Sequence, residues 1–346
     1  MKYPQIFRQL LFALIGGLIV PASLGAGDWE IFRKGTSSAA FLLIGTDARS
    51  MGLGGETAGM INASSIYWNP ANSMGNPHNQ LSHEHGKYLL GIQHQVTTLH
   101  YRVSETKVLS AQINNLDLGR EEITSELEPQ GTGQYYSSQS LALSLNFAAA
   151  LTDKVSVGIQ GKLVSEQIWL EKAQNAALDI GLRFDDKPHQ FALGMAIQNL
   201  GKLSRLQAGP RSTFTQQGDD TNPGGINPDV VYDLKEFPLP LLFRMGLSRR
   251  FTFASKGYFT PSLMMNLGFS DGFSTPFRTS FGMELSPLKS LQFRGGYRLN
   301  SDLGALSLGM GIVLPLGGNR RLLMDYAWID MDYFGAVERY QLSLEF

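Results

Sequence analysis

The chain has 346 residues, of which 43% are hydrophobic and only 17% are charged, and its formal net charge is -1. This balance excludes a nucleic-acid partner, which would need a basic surface. Glycine is abundant, with 38 residues, and cysteine is absent. An exported form of the chain would therefore depend on hydrogen bonding and packing instead of disulfides.

The N-terminus has the pattern of an export signal. Lys2 and Arg8 supply positive charge, an apolar run covers Leu10–Val20, and small residues follow as far as Ala26. About 11 apolar residues are too few to cross hydrocarbon as a helix, which argues against an uncleaved anchor. We predict a signal peptide at residues 1–26 and an exported mature chain.

The next segment, residues 27–77, is rich in glycine and does not alternate. It contains "SIYWNPAN" (Ser65–Asn72), in which two aromatic residues precede Asn-Pro-Ala. Pro70 fixes φ near the helical value, and the Asn69 side chain can cap the first free amides of a helix. The pattern predicts a chain reversal into a short helix, and an ordinary surface turn is the alternative.

From about residue 78 to the C-terminus, apolar residues alternate with polar or small ones. In "SLALSLNF", one face carries Leu141, Leu143, Leu145 and Phe147, and the other carries Ser140, Ala142, Ser144 and Asn146. A period of two indicates β-strands. Strands of soluble proteins average about 5 or 6 residues, whereas a tilted strand needs about 9 to 11 to cross a bilayer. The runs in this chain are long enough to cross.

The connectors also alternate in length. Short ones lie near "SET", "LTDK", "DDKPH", "FASKG", "SPLKS" and "LGGNR". Longer ones are expected at Asp117–Ser137, Trp169–Asn175, Gly201–Phe237, Ser270–Pro276 and Asp330–Ala336. Short turns at one end and long loops at the other are typical of bacterial outer-membrane barrels. We predict about fourteen strands, with both termini on the periplasmic side.

A membrane position explains why the sheet must close. Hydrocarbon offers no partner for an unpaired backbone amide, so only a sheet without edges is stable there. The apolar faces would contact outer-membrane lipid, and the polar and small faces would line a lumen with room for a plug. The last strand, "ERYQLSLEF", resembles the signal that the outer-membrane assembly machinery reads, with one face formed by Tyr340, Leu342, Leu344 and Phe346.

The whole mature chain resembles the PorV/PorQ family of outer-membrane proteins. The resemblance rests on "FLLIGTDARSMGLGGETA" (Phe41–Ala58), "SIYWNPAN", "LTDKVSVGIQGKL" (Leu151–Leu163) and "AIQNLG" (Ala196–Gly201). That family is in turn similar to the FadL-type transporters, which are fourteen-stranded barrels with an N-terminal plug.

The resemblance implies an all-β fold: a FadL-like transmembrane antiparallel β-barrel at residues 78–346 with an N-terminal plug at residues 27–77. The residues that would form the plug motif are Asp47, Arg49, Gly52, Gly54, Gly55, Tyr67, Trp68, Asn69, Pro70 and Ala71. Within this frame, "YWNPAN" is expected to be a capped turn inside the lumen, with both aromatic rings against the wall.

The resemblance also implies a function in type IX secretion at the outer membrane. The expected partners are then the secretion translocon and exported cargo proteins. The alternative is a FadL-like channel for the uptake of hydrophobic small molecules, and a purely structural barrel is a third possibility. None of these functions needs a cofactor or makes the chain an enzyme.

Two glycine-containing motifs resemble catalytic or phosphate-binding motifs but lack the neighbouring residues and elements that such sites require. "GFSDG" (Gly268–Gly272) matches a nucleophile elbow, yet a strand follows it and no histidine lies beyond His189, so we expect a hairpin loop. "MGLGGETAG" has no lysine at P-loop spacing. Packing of the plug backbone against the wall explains its glycines better.

Two polar groups remain as candidates. His83, His85 and His94 could bind metal, but only Glu84 lies near them, on the other face, so we expect these histidines to line the lumen. The long loop after Gly201 carries oxygen ligands at a spacing that does not fit an EF-hand. We therefore predict that this loop is external and binds a partner through Asp219, Asp220, Asn222 and Asp229.

Overall fold

The computed structural model describes residues 35–61, 63–203, 213–215, 229–231, 236–254, 259–301 and 303–346. The predicted signal peptide at residues 1–26 lies outside these residues. Asp219, Asp220 and Asn222 of the predicted partner loop also lie outside them, whereas Asp229 is the first residue of a short strand.

In the described part of the chain, fourteen antiparallel strands form a closed barrel, in which the first strand pairs with the last. A separate pair, β8 with β9, lies in the long connector after β7. The predicted barrel and its strand count are confirmed. The strands are β1 Gln80–Lys87, β2 Gln93–Ser104, β3 Lys107–Glu122, β4 Tyr135–Ala150, β5 Val155–Ile168, β6 Glu171–Asp186, β7 Phe191–Gly201, β8 Thr213–Thr215, β9 Asp229–Val231, β10 Leu242–Thr252, β11 Phe259–Gly272, β12 Thr275–Leu288, β13 Leu291–Leu299, β14 Leu306–Gly317, β15 Arg320–Asp330 and β16 Ala336–Glu345.

The two faces of the strands differ as the alternation predicts. In β4, Leu143, Leu145 and Phe147 point outward and are 44 to 73% exposed, whereas Ser144 and Asn146 point inward and are at most 5% exposed. A closed sheet satisfies its backbone hydrogen bonds internally, and an apolar outer wall suits hydrocarbon. The barrel is therefore built to span a membrane. Within the described residues, no helix has the length and apolar character that a membrane crossing requires.

The connectors agree with the sequence only in part. We call the end where β1 begins and β16 ends the lower end. The connectors there are short, as predicted, with two to six residues each. At the upper end, the connectors after β3 and β7 are long, but those after β5 and β11 have only two residues each. The long loops predicted at Trp169–Asn175 and Ser270–Pro276 are wrong, because the alternating strands continue through most of these residues.

The "GFSDG" motif is also placed differently from the prediction. Gly268–Gly272 forms the last part of β11, and the turn begins only at Phe273. Gly268 and Ser270 pair with residues of β12 in the antiparallel ladder. The motif is thus part of a strand and not a hairpin loop.

A plug fills the lumen before the chain enters β1. It contains one α-helical turn, Ala48–Met51, and the 3-10 helices Ala40–Leu43, Ala63–Tyr67 and Pro70–Gly75. Three further 3-10 helices lie in connectors, at Leu89–Gly91, Lys187–His189 and Asp332–Phe334. Nearly all described plug side chains between Phe41 and Asn76 are buried or half-buried. The predicted plug is therefore present inside the barrel.

The plug backbone touches the wall where inward positions of the strands are glycine. A Cβ built at Gly246 would lie 2.5 Å from the amide nitrogen of Gly59, and one at Gly282 would lie 2.5 Å from the carbonyl oxygen of Leu53. Similar clashes with the plug would occur at Gly158, Gly181, Gly194, Gly268 and Gly296. We call these seven residues, on seven successive barrel strands, the glycine row.

We expect Gly246→Ala to displace the plug while the barrel persists. The added methyl group would meet plug backbone, which cannot move aside as a flexible side chain can, and such overpacking costs roughly 1–3 kcal/mol. Ion conductance in planar bilayers should rise. Gly161→Ala is the matched control, because Gly161 is exposed on the outer face of β5 and its Cβ would meet nothing within 4 Å. Equal conductance of the two variants would contradict the close approach at Gly246.

Candidate functional site: the plug and two lumenal chambers

The aromatic pair of the plug is held by an arginine from the wall. Arg244 of β10 lies over the ring of Trp68 at 4.5 Å and over that of Tyr67 at 5.0 Å. Its guanidinium also donates to Glu56 of the plug at 2.7 Å and to the Tyr67 hydroxyl at 3.2 Å. The two rings meet edge to face at 4.8 Å. This arrangement explains why two aromatic residues precede Asn-Pro-Ala.

The same two rings organise the plug itself. The Tyr67 hydroxyl donates to the carbonyl of Leu42 at 3.0 Å, and the Trp68 indole nitrogen donates to the carbonyl of Thr46 at 3.0 Å. Each side chain therefore joins the early part of the plug to its later part. Because both polar atoms are paired, the rings can be buried without an unsatisfied donor.

Asn69 caps the following helix, as its position before Pro70 predicts. Its Oδ1 accepts from the Ala71 amide at 2.9 Å. Its Nδ2 donates to the carbonyl of Ala58 in the plug and to that of Leu182 in β6, both at 3.0 Å. The capping prediction is confirmed, and the alternative of a surface turn is wrong because Asn69 is fully buried.

An ion-pair network attaches the lower side of the plug to the wall. Arg49 of the plug makes two hydrogen bonds of 2.8 Å to the carboxylate of Glu284 in β12. Glu284 also accepts from Arg294 at 2.9 Å, and Arg294 donates to Asp325 at 2.6 Å. Removing one partner from such a buried network would leave an unpaired charge, which is costly. The network therefore fixes the turn Ala48–Met51 against β12 to β15.

A chamber of about 310 Å³, which we call the upper chamber, lies above the plug. Much of its lining is apolar and comes from both the plug and the upper ends of the strands. Representative residues are Leu43, Met51, Trp68, Leu303, Ile329 and Met331. Guanidinium groups project into the same space, so the chamber combines apolar surface with positive charge.

A second chamber, the lower chamber, has a volume of about 480 Å³. It is more polar, and its lining includes Arg49, Glu284 and Arg294 of the ion-pair network. The α-helical turn of the plug contributes Met51 to the upper chamber and Arg49 to the lower one. The two chambers therefore lie on opposite sides of one short plug segment.

Burial raises the pKa of one carboxyl group in the plug. Asp47 is 2% exposed, and its loss of contact with water raises its pKa from the ordinary 3.8 to about 7. The Ser50 hydroxyl donates to Asp47 at 2.5 Å and partly opposes this rise, whereas the nearby carboxylates of Glu84 and Asp325 add to it. Asp47 can thus change charge near neutral pH.

The structure brings all ten predicted plug residues into the lumen. Gly52, Gly54 and Gly55 lie where the plug passes close to β13 and β14 and to the side chain of Arg298. Pro70 and Ala71 lie against Gly158 of β5. The residues of the predicted assembly signal point outward from β16 and the chain end and are 36 to 52% exposed: Tyr340, Leu342, Leu344 and Phe346.

The histidine prediction is only partly right. His94 lines the lumen, where its Nε2 lies 2.7 Å from Asn114 Oδ1 and its Nδ1 lies 3.0 Å from Arg339. His83 and His85 point outward, because β1 is in a register that turns Glu84 inward. Lumen lining is therefore wrong for these two. Among the described residues, no cluster of three or more His, Asp or Glu side chains could hold a metal ion.

Sequence reasoning missed the wall residues that bind the plug. These are Arg183, Arg244 and Glu284, and they lie on inward faces of predicted strands together with Arg294, which pairs with Glu284. Arg183 donates to the Gly59 carbonyl at 2.9 Å and to Asn72 at 3.0 Å. A charged residue on the inward face of an alternating strand was the available signal, but nothing in the sequence pairs it with a particular plug residue.

Comparisons with known proteins show the fold. No family model matches the chain, and no curated protein matches it. The P. putida toluene transporter TodX is similar in structure, with a TM-score of 0.50 and 11% identity over 87% of this chain and 96% of that one. The Ralstonia pickettii toluene transporter TbuX has a TM-score of 0.49 and 14% sequence identity, and the match covers 88% of this chain and 98% of that one. A Pseudomonas aeruginosa FadL homologue has a TM-score of 0.48 and 10% sequence identity, and the match covers 87% of this chain and 98% of that one.

We expect Asn69→Ala combined with Pro70→Ala to loosen the plug without unfolding the barrel. The change removes the cap, worth about 1 kcal/mol, and two further buried hydrogen bonds. Conductance in planar bilayers and leakage of antibiotics into cells should both increase. Asn115→Ala is the control, since Asn115 is half-buried on an outward position of β3 and, among the described residues, its side chain hydrogen-bonds only Gln139. Unchanged conductance and leakage would show that Asn69 does not hold the plug.

Docking of the plug should weaken as the pH rises from about 4 to about 7. A docked plug keeps Asp47 protonated over this range, whereas a released plug exposes it to water, where it ionises near 3.8. Docking therefore takes up a proton, and the difference corresponds to on the order of 4 kcal/mol. The frequency of channel openings should increase up to about pH 7 and then level off. Asp47→Asn, which cannot ionise, should show much less of this dependence, and an identical profile would refute the assignment.

Proposed function

We propose that the chain is a plugged outer-membrane channel for hydrophobic small molecules and is not an enzyme. The observation that carries this proposal is the upper chamber, because its lining is rich in apolar side chains inside a barrel that spans the membrane. A general porin instead has a polar, water-filled lumen. Apolar surface inside a small concave site is what binds hydrophobic ligands.

The arrangement of the two chambers supports passage through the lumen. A solute bound in the upper chamber is separated from the lower chamber by the turn Ala48–Met51 and its neighbours. Hydrogen bonds and ion pairs attach this segment to the wall, and no disulfide can cross-link it because the chain has no cysteine. Displacement of the segment would join the chambers. TodX, which shares the fold, is a toluene transporter, and this analogy at the level of the fold agrees with the proposal.

The role in type IX secretion that the PorV/PorQ resemblance implies remains a prediction. Its partner-binding loop carries Asp219, Asp220 and Asn222 outside the described residues, and the described lumen offers small chambers in place of a path for a protein chain. Both functions predict the same position in the outer membrane, with both termini in the periplasm. Both also predict contact with the assembly machinery.

The first experiment compares a clean deletion strain with its parent. We expect the deletion to reduce the accumulation of radiolabelled toluene by cells with an intact outer membrane, and the restored gene to recover it. Surface and culture-medium proteins are compared by mass spectrometry in the same strains. Unchanged toluene uptake together with misplaced exported proteins would overturn the channel and favour the secretion role.

A disulfide between plug and wall tests whether the plug must move. The Ser64 hydroxyl of the plug lies 2.9 Å from that of Ser82 in β1, and the chain has no cysteine of its own. In Ser64→Cys/Ser82→Cys, oxidation should lower toluene uptake severalfold, and reduction should restore it. Each single variant serves as a control. Full uptake by the oxidised protein would contradict gating by this part of the plug.

A further inference from the structure

The apolar band of the outer wall is interrupted at β1. On β14, five successive outward positions are apolar: Leu306, Leu308, Met310, Ile312 and Leu314. On β1, the first outward position, Leu81, is apolar, but the next three are polar: His83, His85 and Lys87. A polar stretch therefore faces outward where the first strand meets the last.

Strand pairing shows that this stretch reaches into the apolar band. In the antiparallel ladder, His83 is paired with Leu342 of β16 on one side and with Thr97 of β2 on the other. Thr97 is in turn paired with Ile113 of β3. Leu342 and Ile113 are outward, and each is 50% exposed. His83 and Thr97 therefore lie between apolar residues that face lipid.

Hydrocarbon cannot satisfy the polar atoms at this place. His83 Nδ1 lies 3.0 Å from Thr97 Oγ1, and within the described part of the chain neither side chain has another hydrogen bond. The second ring nitrogen of His83 thus has no partner there, although it can donate or accept. A polar group in an apolar medium is costly unless it is hydrogen-bonded. A protein surface that covers this face and offers hydrogen bonds would remove that cost.

The strands on the other side of β1 carry groups of complementary chemistry. Glu338 of β16 is outward and accepts hydrogen bonds from the hydroxyls of Tyr326 and Tyr340, both at 3.0 Å. Glu338 is the ladder partner of Lys87, yet neither forms an ion pair with any residue that the structure describes. A carboxylate and hydroxyls therefore lie on one side of the β1–β16 pairing, and an ammonium group and imidazoles lie on the other.

Two copies of the chain can bring these two groups together. Copies in one membrane have the same orientation, so a two-fold axis between them runs along the membrane normal and brings residues of equal depth face to face. With the axis at the β1–β16 pairing, Lys87 of each copy would meet Glu338 of the other. His85 would meet Tyr340, which is its own ladder partner within the chain. Such a contact is self-complementary, because it pairs opposite charges and brings hydroxyls to imidazoles.

We propose that a second copy of the chain covers this face and that the protein is a two-fold dimer in the membrane. Its interface, which we call the seam face, is centred on six outward residues: His83, His85, Lys87, Thr97, Glu338 and Tyr340. Tyrosine is enriched at protein interfaces, and complementary charges fix the register of the partners. Each barrel keeps its own lumen, so this inference goes beyond the proposed channel and does not depend on its solute.

The first test joins two copies in the native outer membrane. The full-length chain has no cysteine, so one copy receives Lys87→Cys and a second copy, with a different tag, receives Glu338→Cys in the same cells. We expect mild oxidation to give a disulfide-linked dimer that carries both tags, and reduction to separate it. In the control pair, Phe243→Cys replaces Glu338→Cys. Phe243 is outward on β10, on the opposite side of the barrel, and should give no dimer.

The second test measures association in lipid vesicles by energy transfer between donor-labelled and acceptor-labelled full-length protein. His83→Leu/Thr97→Leu should weaken association roughly tenfold, because it removes hydrogen bonds from the interface and makes the face suit lipid. Thr279→Leu is the matched control, since it makes the same change at an outward position of β12, away from the seam face. It should leave association unchanged.

Charge reversal tests the pairing of Lys87 with Glu338 of the second copy. Lys87→Glu and Glu338→Lys should each weaken association severalfold, because like charges would then face each other. The double variant Lys87→Glu/Glu338→Lys should restore it. A folded barrel is verified for every variant by its heat-dependent shift on a gel.

A disulfide yield no higher than that of the control pair, or association that His83→Leu/Thr97→Leu leaves intact, would overturn the dimer. Cross-linking of Lys87→Cys only to a different protein would also overturn it and assign the seam face to that protein. These outcomes are separate from those that test the channel. A monomer that accumulates toluene normally would remove this inference and leave the channel in place, whereas a dimer whose deletion leaves toluene uptake unchanged would support only the interface.

Discussion

Direct contact between the plug backbone and the barrel wall is the constraint on which the other features depend. The glycine row permits this contact, because any larger residue at Gly246 or Gly282 would enter the plug backbone. Plug carbonyls that are buried in this way must find donors. The wall supplies them from side chains beside the row: Ser280 donates to Gly55 at 3.0 Å, and Ser248 donates to Gly59 at 2.8 Å. Close approach and hydrogen bonding thus fix the depth of the plug together.

Polar contacts and apolar clusters both attach the plug to the wall. Arg49, Arg183 and Arg244 each connect the plug to the wall through hydrogen bonds of 2.7 to 3.0 Å. The barrel itself is stabilised by strand pairing around a closed circle, which does not need the plug. Displacement of the plug would therefore break these polar contacts and separate the apolar clusters, and we expect the closed strand ladder of the barrel to persist. A lumen built in this way can be closed at rest and can open without unfolding.

The wrong predictions about strand ends and about which residues face the lumen share one cause. An alternating pattern shows which residues share a face, but the three-dimensional pairing decides where a strand ends and which face is inward. Polar residues on both faces of β1 leave its register ambiguous in the sequence, so His83 and His85 are expected in the lumen, although Glu84 occupies it. At Gly268–Gly272, a motif that resembled a turn continues a strand because β12 pairs with it.

The sequence by itself determined the architecture: long runs of period two specify an all-β membrane barrel, and the break in that period before residue 78 marks the plug. It also determined the cap at Asn69, which depends only on neighbouring residues. Only the tertiary structure decided that Arg244 meets Tyr67 and Trp68, that Arg49 meets Glu284, and that Arg278 has no carboxylate partner among the described residues. These contacts join residues far apart in the chain, so their distances exist only after the barrel has closed around the plug.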